Sequence, residues 1–336
     1  MTTQDPNVLL TVKNLDVIYD TDTPVHAVQN ASFELRRGEM LGLAGESGCG
    51  KTTLAYSINQ MLKEPGKINS GTVIFHDKSG TDIDIRKLSG KALREYRWEK
   101  TSMVFQGAMN SLSPVTKIEK QLADIYKTHR PDMPKTERHD RCAHLLEMVN
   151  VDPNRLAACP FELSGGMRQR VMIAMALCSN PSLLIADEPI TALDPTIQAQ
   201  ILELIGELQK KLGMSVLYIT HDLGVVAELC HRVVVMYAGM VMEVAQTEDL
   251  FSKPAHPYTQ GLMKAMPRMN SGGERLNSIE GVVPHITEMP KGCHFHPRCP
   301  YATELCRQSC PPMTDLGNGH QVRCHLADRG REEEQA

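Results

Sequence analysis

The first residues with recognisable chemistry form a glycine-rich loop that carries one lysine. The segment from Gly45 to Thr52 fits the spacing G-x-x-x-x-G-K-[ST], whose backbone N–H groups face the phosphates of a nucleotide. In such a loop Lys51 reaches the β- and γ-phosphates, and the Thr52 hydroxyl ligates Mg²⁺. The loop therefore predicts a nucleoside-triphosphate site that comprises Gly45, Ser47, Gly48, Cys49, Gly50, Lys51, Thr52 and Thr53.

An acidic pair, Asp187 and Glu188, follows the apolar run 183–186. Ligands in open α/β sheets bind beyond the carboxyl ends of buried strands, which is where this pair is expected. We therefore predict that Asp187 holds Mg²⁺ through water, and that Glu188 polarises or deprotonates an attacking water molecule. The loop predicts that the chain binds a nucleoside triphosphate, and the acidic pair predicts that it also hydrolyses it.

A third segment lies between these two sites, and it reads Leu-Ser-Gly-Gly-Met-Arg-Gln-Arg from Leu163 to Arg170. Ser164, Gly165 and Gly166 precede a helix predicted over 167–177. Small residues with free N–H groups at a helix start form a site for an anion. The segment therefore predicts a second place where phosphate binds.

The ten cysteines are unevenly distributed, and five of them lie between positions 293 and 324. In a cytosolic chain such a cluster favours metal or redox chemistry over structural disulfides. The chain is expected to be cytosolic because its first residues lack the pattern of a secretory signal. Its longest apolar run, near 233–242, falls far short of the roughly 20 residues that span a bilayer.

The 336 residues allow one large domain with an appendage. A formal net charge of −4 argues against a nucleic-acid-binding protein, which usually carries a basic excess. Alternating apolar and polar residues predict half-buried strands at 9–19 and 27–35, and further strand signals lie at 40–44, 71–76, 102–105, 183–186, 215–220 and 232–237. Helices are predicted at 52–62 and 195–211, and helical periodicity alone is found from 107 to about 180. Strands that alternate with helices predict an α/β fold with a mainly parallel sheet covered on both sides.

The order of phosphate loop, Leu-Ser-Gly-Gly segment and Asp-Glu pair resembles the ATP-binding cassette (ABC) ATPases, over residues from about 9 to about 250. The resemblance implies a P-loop cassette with a RecA-like core sheet, an antiparallel β subdomain and a helical subdomain inserted at about 107–180. It implies an ATPase domain at 1–255 and a small cysteine-rich C-terminal extension at 256–336. A Gly-, Ser- and Asn-rich stretch at 269–274 is typical of a linker.

The resemblance also implies roles for single residues in binding ATP and Mg²⁺. Gln106 is similar to the glutamine that senses Mg²⁺ and the γ-phosphate, and His221 is similar to a switch histidine that contacts the γ-phosphate. Asp194 is similar to the acidic residue of a loop through which two subunits communicate, and Tyr19 to an aromatic residue that stacks on adenine. Ser164, Gly165 and Gly166 would complete the ATP site of a second cassette, which is either a copy of this chain or a related F-type subunit.

Two further segments resemble the D-type cassettes of oligopeptide and dipeptide importers. They are the glutamine loop 106–114, which departs from that pattern at Gly107, Ala108 and Ser113, and the stretch that begins His256-Pro257-Tyr258-Thr259. The resemblance implies two integral membrane permease subunits, an extracytoplasmic substrate-binding protein, and a place on the cytoplasmic face of the inner membrane. Cargo stays open, because related systems carry nickel, glutathione or oligosaccharides.

Two other classes of ABC ATPase are alternatives to an importer subunit. ABC ATPases of DNA repair or translation usually carry long coiled coils or two cassettes with basic surfaces, and the sequence has none of these. An exporter is disfavoured by the C-terminal extension. The importer subunit is therefore the expected class.

The C-terminal cysteines resemble the cysteine module of the same importers. Cys293, Cys299, Cys306 and Cys324 match the family's positions and would hold a [4Fe–4S] cluster, which needs four thiolates. Their spacing differs from the ferredoxin run. A structural Zn²⁺ bound with or without His294 or His296, and four unliganded thiols, are open alternatives. Cys310 is a spare thiol, and the module is expected to serve structure or docking rather than catalysis.

Overall fold

A computed structural model describes residues 5–107, 111–191, 193–266 and 279–327 of the chain. The predicted linker at 269–274 and the departure at Ala108 lie outside the described residues. The chain forms two compact units. The first unit comprises Met1–Lys87 and Ile219–Ala336, and the second comprises Leu88–Tyr218.

Twelve strands lie within the described residues. They are β1 (Val8–Tyr19), β2 (Val25–Arg36), β3 (Met40–Ala44), β4 (Gly66–His76), β5 (Asp82–Asp84), β6 (Thr101–Val104), β7 (Leu183–Asp187), β8 (Ser215–Thr220), β9 (Arg232–Tyr237), β10 (Met240–Gln246), β11 (Thr314–Gly317) and β12 (His320–Val322).

Ten α-helices lie within the same residues. They are α1 (Lys51–Ile58), α2 (Gly90–Glu95), α3 (Ile118–His129), α4 (Lys135–Met148), α5 (Gly165–Leu177), α6 (Pro195–Leu212), α7 (Leu223–Leu229), α8 (Thr247–Ser252), α9 (Pro257–Ala265) and α10 (Glu304–Gln308).

The first unit contains a four-stranded antiparallel sheet in the order β2-β1-β4-β5. Val12 of β1 lies between Phe33 and Val73 of the neighbouring strands, and all three side chains are buried. Strand β9 pairs in parallel with β3 and antiparallel with β10, and β12 and then β11 continue beyond β10. Because β3 and β9 are buried along their whole length, their apolar runs are continuous rather than alternating.

In the second unit β6 and β7 are parallel, with β8 next to β7. Between positions 111 and 180 the described residues form helices and turns and no strand. Helix α6 buries one apolar face, and its C-cap Gly213 adopts the left-handed conformation that glycine allows. The described residues between 111 and 180 therefore agree with the helical periodicity of the sequence.

The expectation of a mainly parallel sheet holds for the pairs β3–β9 and β6–β7 but is wrong for β10, β11 and β12. The apolar run at 233–242 is not one element, because Ala238 and Gly239 turn the chain between β9 and β10 with φ values of 46° and 82°. Two strands joined by a two-residue turn must be antiparallel. Helix α1 ends at Ile58, before the predicted position 62. Within the described residues, no helix is long and apolar enough to cross a membrane.

Candidate functional site

The phosphate loop connects the buried strand β3 to helix α1 in the first unit, and two of its glycines are required by close contacts. Gly45 has φ 151°, and a Cβ there would lie 2.1 Å from the carbonyl oxygen of Met236. Gly50 has φ 98°, and its Cβ would lie 2.4 Å from the carbonyl oxygen of Ala27. No other residue type fits at these two positions without moving the backbone.

Lys51 begins helix α1 and is 6% exposed. Its Nζ donates hydrogen bonds to the carbonyl oxygens of Gly45 at 2.7 Å and of Glu46 at 3.0 Å. The ammonium group is therefore held against the backbone of the loop, at a helix N-terminus that favours anions. From this position the lysine can donate hydrogen bonds to phosphate oxygens.

Tyr19, at the end of β1, lies beside the first turn of α1. Its hydroxyl is 3.3 Å from Oγ1 of Thr53. A Cβ on Gly66 would lie 3.1 Å from the tyrosine ring, so the absence of a side chain there makes room for it. The residue predicted to stack on adenine therefore contacts the helix that follows the phosphate loop.

In the second unit, strand β7 ends in the acidic pair. Asp187 is fully buried, and Glu188 has φ 44°, a left-handed conformation that is uncommon outside glycine. The Nε2 of Gln106 donates to Oε2 of Glu188 at 2.9 Å. The glutamine and the catalytic carboxylate that the sequence predicts are thus in direct contact, and the unusual backbone of Glu188 is typical of functional sites.

The segment around Ser164 forms the start of helix α5. Ser164 is the N-cap, and its Oγ accepts a hydrogen bond from the backbone N of Met167 at 3.3 Å. A Cβ on Gly166 would lie 2.8 Å from Cγ2 of Ile197, so this glycine lets α5 approach α6. The helix start has the short residues and N–H groups that suit an anion.

Gln169 of α5 is a residue that the sequence did not single out. It is 3% exposed, and its side-chain amide donates to the carbonyl of Pro189, in the loop that follows Glu188. A polar side chain on the buried side of a helix was the available signal. Through this bond the Leu-Ser-Gly-Gly helix and the catalytic loop of the same unit are connected.

Two predicted residues lie at helix starts. Asp194 is the N-cap of α6, and its Oδ1 accepts from the backbone N of Ile197 at 3.0 Å. This gives Asp194 a structural role that its sequence neighbours, Pro195 included, also favour. His221 is exposed and follows strand β8, next to Asp222, the N-cap of α7.

The sequence also did not single out the contacts of Glu46, the second residue of the phosphate loop. Its backbone N donates to the hydroxyl of Tyr258, and its carboxylate pairs with the guanidinium of Arg298. Both partners lie in the C-terminal segments whose motifs resemble peptide importers. The resemblance identified those segments, but it did not predict that they contact the phosphate loop.

The four cysteines chosen for the module, Cys293, Cys299, Cys306 and Cys324, line one small cavity of ≈ 10 Å³ together with His296 and His325. Cys310 and His294 do not line it. The exposed Cys310 has its Sγ 3.9 Å from Sδ of Met240, and Nδ1 of His294 bonds the carbonyl of Ala238 at 2.8 Å.

Burial raises the pKa of Cys293 to about 12 and also raises the pKa of Cys299 and of Cys324. Soft thiol donors in one cavity fit iron–sulfur or zinc chemistry. In the part of the chain that the structure describes, however, no three His, Cys, Asp or Glu side chains form a group that could hold a metal ion. The thiol side chains are therefore of the type that binds iron–sulfur clusters or zinc, but their positions in the structure do not form a metal-binding geometry.

The chain matches two protein-family models. Residues 28–191 match a family described as ABC transporter, and residues 242–306 match the C-terminal region of oligopeptide/dipeptide transporters.

The chain is similar to curated proteins over almost its whole length. It is 45% identical to the dipeptide transport ATP-binding protein DppD of Haemophilus influenzae, over 94% of this chain and 95% of that protein. It is 43% identical to the protein of the same name from Escherichia coli, over 96% and 98%.

Solved structures are similar to a large part of the chain. A dimeric ATP-binding cassette in a post-hydrolysis state with ADP and phosphate is 27% identical with a TM-score of 0.62, covering 71% of this chain and 99% of its own. A Clostridium perfringens component of an ABC transporter complex is 29% identical with a TM-score of 0.64, covering 74% and 92%.

Proposed function

Since the chain belongs to the ABC transporter ATPases, we propose that it supplies the ATP hydrolysis that drives uptake of di- and oligopeptides across the cytoplasmic membrane. One observation carries the choice of peptides. The likeness to dipeptide transport proteins covers 94% of the chain and continues into residues 242–306, which match the C-terminal region of oligopeptide/dipeptide transporters. The proposal gives this chain the ATPase role and leaves cargo selection to other subunits.

We assign a step of ATP binding or hydrolysis to each of the predicted site residues. In the first unit Lys51 and the backbone of the phosphate loop bind the β- and γ-phosphates, Tyr19 stacks on adenine, and His221 contacts the γ-phosphate. In the second unit Glu188 orients the attacking water and takes its proton. The hydrogen bond from Gln106 supports this assignment because it orients the carboxylate of Glu188.

Mg²⁺ accompanies ATP in this proposal. Thr52, Gln106 and Asp187 supply the hydroxyl, amide and carboxylate oxygens that Mg²⁺ prefers. When bound, the ion neutralises phosphate charge. Thr52 lies in the first turn of helix α1 and Asp187 ends strand β7, whereas Gln106 lies in the turn after β6.

The assembly that we propose has two cassettes and two integral membrane permease subunits, with an extracytoplasmic binding protein that selects the cargo. Ser164, Gly165 and Gly166 would serve the ATP of the second cassette, which is a related F-type subunit or a copy of this chain. The chain would lie on the cytoplasmic face of the inner membrane. The ATPase domain would comprise 1–255, with a RecA-like core sheet, an antiparallel β subdomain and the inserted helices, and the extension would comprise 256–336.

We further propose that Cys293, Cys299, Cys306 and Cys324 hold a [4Fe–4S] cluster, with Zn²⁺ as the alternative. The shared cavity of the four thiols supports this. Such a group would cross-link the segments that carry the cysteines and stabilise the tail. Iron, sulfide and zinc analysis of anaerobically purified protein tests it, with Cys299→Ser against the exposed Cys310→Ser as control. We expect Cys299→Ser to lose the cluster or the Zn²⁺, about one per chain, and Cys310→Ser to keep it. Wild-type protein that contains neither iron nor zinc would refute the proposal.

Uptake of labelled dipeptides and oligopeptides tests the transport proposal. Cells in which the gene for this chain is deleted would be given either the wild-type chain or Glu188→Gln. The control variant is Glu203→Gln, because Glu203 is an exposed carboxylate of helix α6. Loss of peptide uptake with Glu188→Gln alone is expected. If uptake is unchanged, labelled nickel, glutathione and oligosaccharide are the next cargoes to test, and the peptide assignment fails.

A further inference from the structure

Glu46 of the phosphate loop is held at two points by residues far along the chain. Its backbone N donates a hydrogen bond of 3.0 Å to the hydroxyl of Tyr258. Its carboxylate accepts two from Arg298, with 2.8 Å between Nη1 and Oε2 and 3.2 Å between Nη2 and Oε1. Arginine–carboxylate pairs of this two-bond type fix geometry as well as charge.

Arg298 is itself immobilised. Only 4% of its side chain is exposed, and it also donates to the carbonyl oxygens of Glu280 and Ile279 at 3.0 and 3.2 Å. Its guanidinium carbon lies 5.7 Å from the ring centre of Tyr237. Burial disfavours the charge of Arg298, but the bonds with Glu46 and Tyr237 outweigh burial and raise its pKa, so it stays a cation.

Tyr258 is equally fixed. It is fully buried in the first turn of α9, with its ring centre 4.7 Å from that of Tyr237 and 5.3 Å from that of Phe295. Three aromatic rings packed at these distances leave the tyrosine hydroxyl little freedom. The hydrogen bond to Glu46 therefore comes from a rigid support.

The position of Glu46 matters because its backbone also holds the catalytic lysine. The carbonyl oxygen of Glu46 accepts from Nζ of Lys51 at 3.0 Å, and it accepts from the backbone N of Cys49. A shift of Glu46 would therefore move the ammonium group and the turn of the loop together. The side chains that prevent such a shift are those of Tyr258 and Arg298.

We infer that Tyr258 and Arg298 are positioning residues of the phosphate loop, which act through Glu46 and set the affinity of the chain for MgATP. The inference rests on the proposed function, because it takes the loop to bind ATP. It gives the C-terminal region, whose motifs resemble those of peptide importers, an indirect part in nucleotide binding. Neither residue touches the nucleotide in this inference.

Equilibrium binding of MgATP to the purified full-length chain tests the inference. Arg298→Ala and Tyr258→Phe are each expected to weaken binding about tenfold, the worth of one charge-assisted or buried hydrogen bond. Arg307→Ala and Tyr301→Phe are matched controls, because both residues are exposed in the same C-terminal region. Arg298→Lys should recover only part of the affinity, since lysine cannot form the two-bond pair.

A double-mutant cycle separates positioning from general destabilisation. If Arg298 acts through Glu46, Arg298→Ala adds nothing to the loss of affinity already caused by Glu46→Ala. In the assembled transporter, KM for ATP should rise in the single variants while kcat at saturating MgATP is retained. A merely structural residue would lower the melting temperature without this non-additivity.

Two results would overturn the inference. The first is that Arg298→Ala and Tyr258→Phe bind MgATP as tightly as the control variants do. The second is that the losses of affinity caused by Arg298→Ala and Glu46→Ala are fully additive. Failure of the proposed function has a different signature. It would appear as undiminished MgATP binding in Lys51→Ala, whatever the variants of Arg298 do.

Discussion

The N-cap of helix α9 makes the C-terminal region sensitive to acid through one buried histidine. Nδ1 of His256 accepts a hydrogen bond from the backbone N of Tyr258 at 3.0 Å, which requires an unprotonated nitrogen. Burial lowers the pKa of His256 to about 4, although the carboxylate of Glu243 opposes the shift. The side chain is 1% exposed, so protonation in the folded state puts a charge where water does not reach.

The sign and size of the effect follow from proton linkage. The unfolded chain protonates His256 near its ordinary pKa of 6.5, whereas the folded chain keeps it neutral until about pH 4. The unfolded state therefore binds more protons in this window, and the free energy of unfolding falls as the pH falls. The full difference amounts to about 3 kcal/mol, of which about 2 kcal/mol is lost at pH 5.

Hydrogen exchange of a peptide that covers α9 measures this loss locally. Between pH 7 and pH 5, after correction for the intrinsic rate, the opening constant of α9 should rise about 20-fold in the wild-type chain. His256→Asn is the control variant, because asparagine is a good N-cap and does not titrate. Equal pH dependence in the two proteins would refute the role given to His256.

Two further substitutions test the second unit. Glu188→Gln should bind ATP normally but hydrolyse it about 10²–10⁴-fold more slowly, because only the general base is removed. The rate is measured as phosphate release by the assembled transporter, and turnover near the wild-type rate would show that Glu188 is not the general base. Gly166→Ala should cost about 1–3 kcal/mol in thermal or urea unfolding because its Cβ would lie 2.8 Å from Cγ2 of Ile197, whereas Gly165→Ala, with 3.6 Å to Leu193, should cost less; equal losses would contradict the packing argument.

Local sequence signals were sufficient where an element is buried on both sides. Strands β8 and β9 have the bounds that their continuous apolar runs predict, because such runs pack in the interior of a sheet. Gln106 was recognised as a site residue only through the ordered set of motifs that resembles a family, and its hydrogen bond to Glu188 was not predicted. Strand β10 was not predicted, because the apolar run continues from β9 through the turn at Ala238 and Gly239, so periodicity alone does not show where a second strand begins.

Long-range polar contacts were beyond the sequence for a different reason. Arg298 and Glu46 are 252 positions apart, and nothing in the pattern around either residue selects the other among the chain's 36 basic and 40 acidic residues. The fold makes the selection, because β9 brings Tyr237 beside both the loop and the C-terminal rings. The same holds for the four cysteines, whose spacing alone does not specify one cavity.

The phosphate loop is fixed by two different kinds of contact. Backbone carbonyls of Met236 and Ala27 crowd Gly45 and Gly50 so closely that only glycine fits, which constrains the loop by exclusion. Tyr258 and Arg298 constrain Glu46 by attraction, and attraction depends on the C-terminal region being folded. A change that loosens that region, such as protonation of His256, would therefore reach Lys51 through Glu46 while the glycine contacts stay intact. Weaker MgATP binding of the wild-type chain at pH 5, restored by His256→Asn, is the combined consequence.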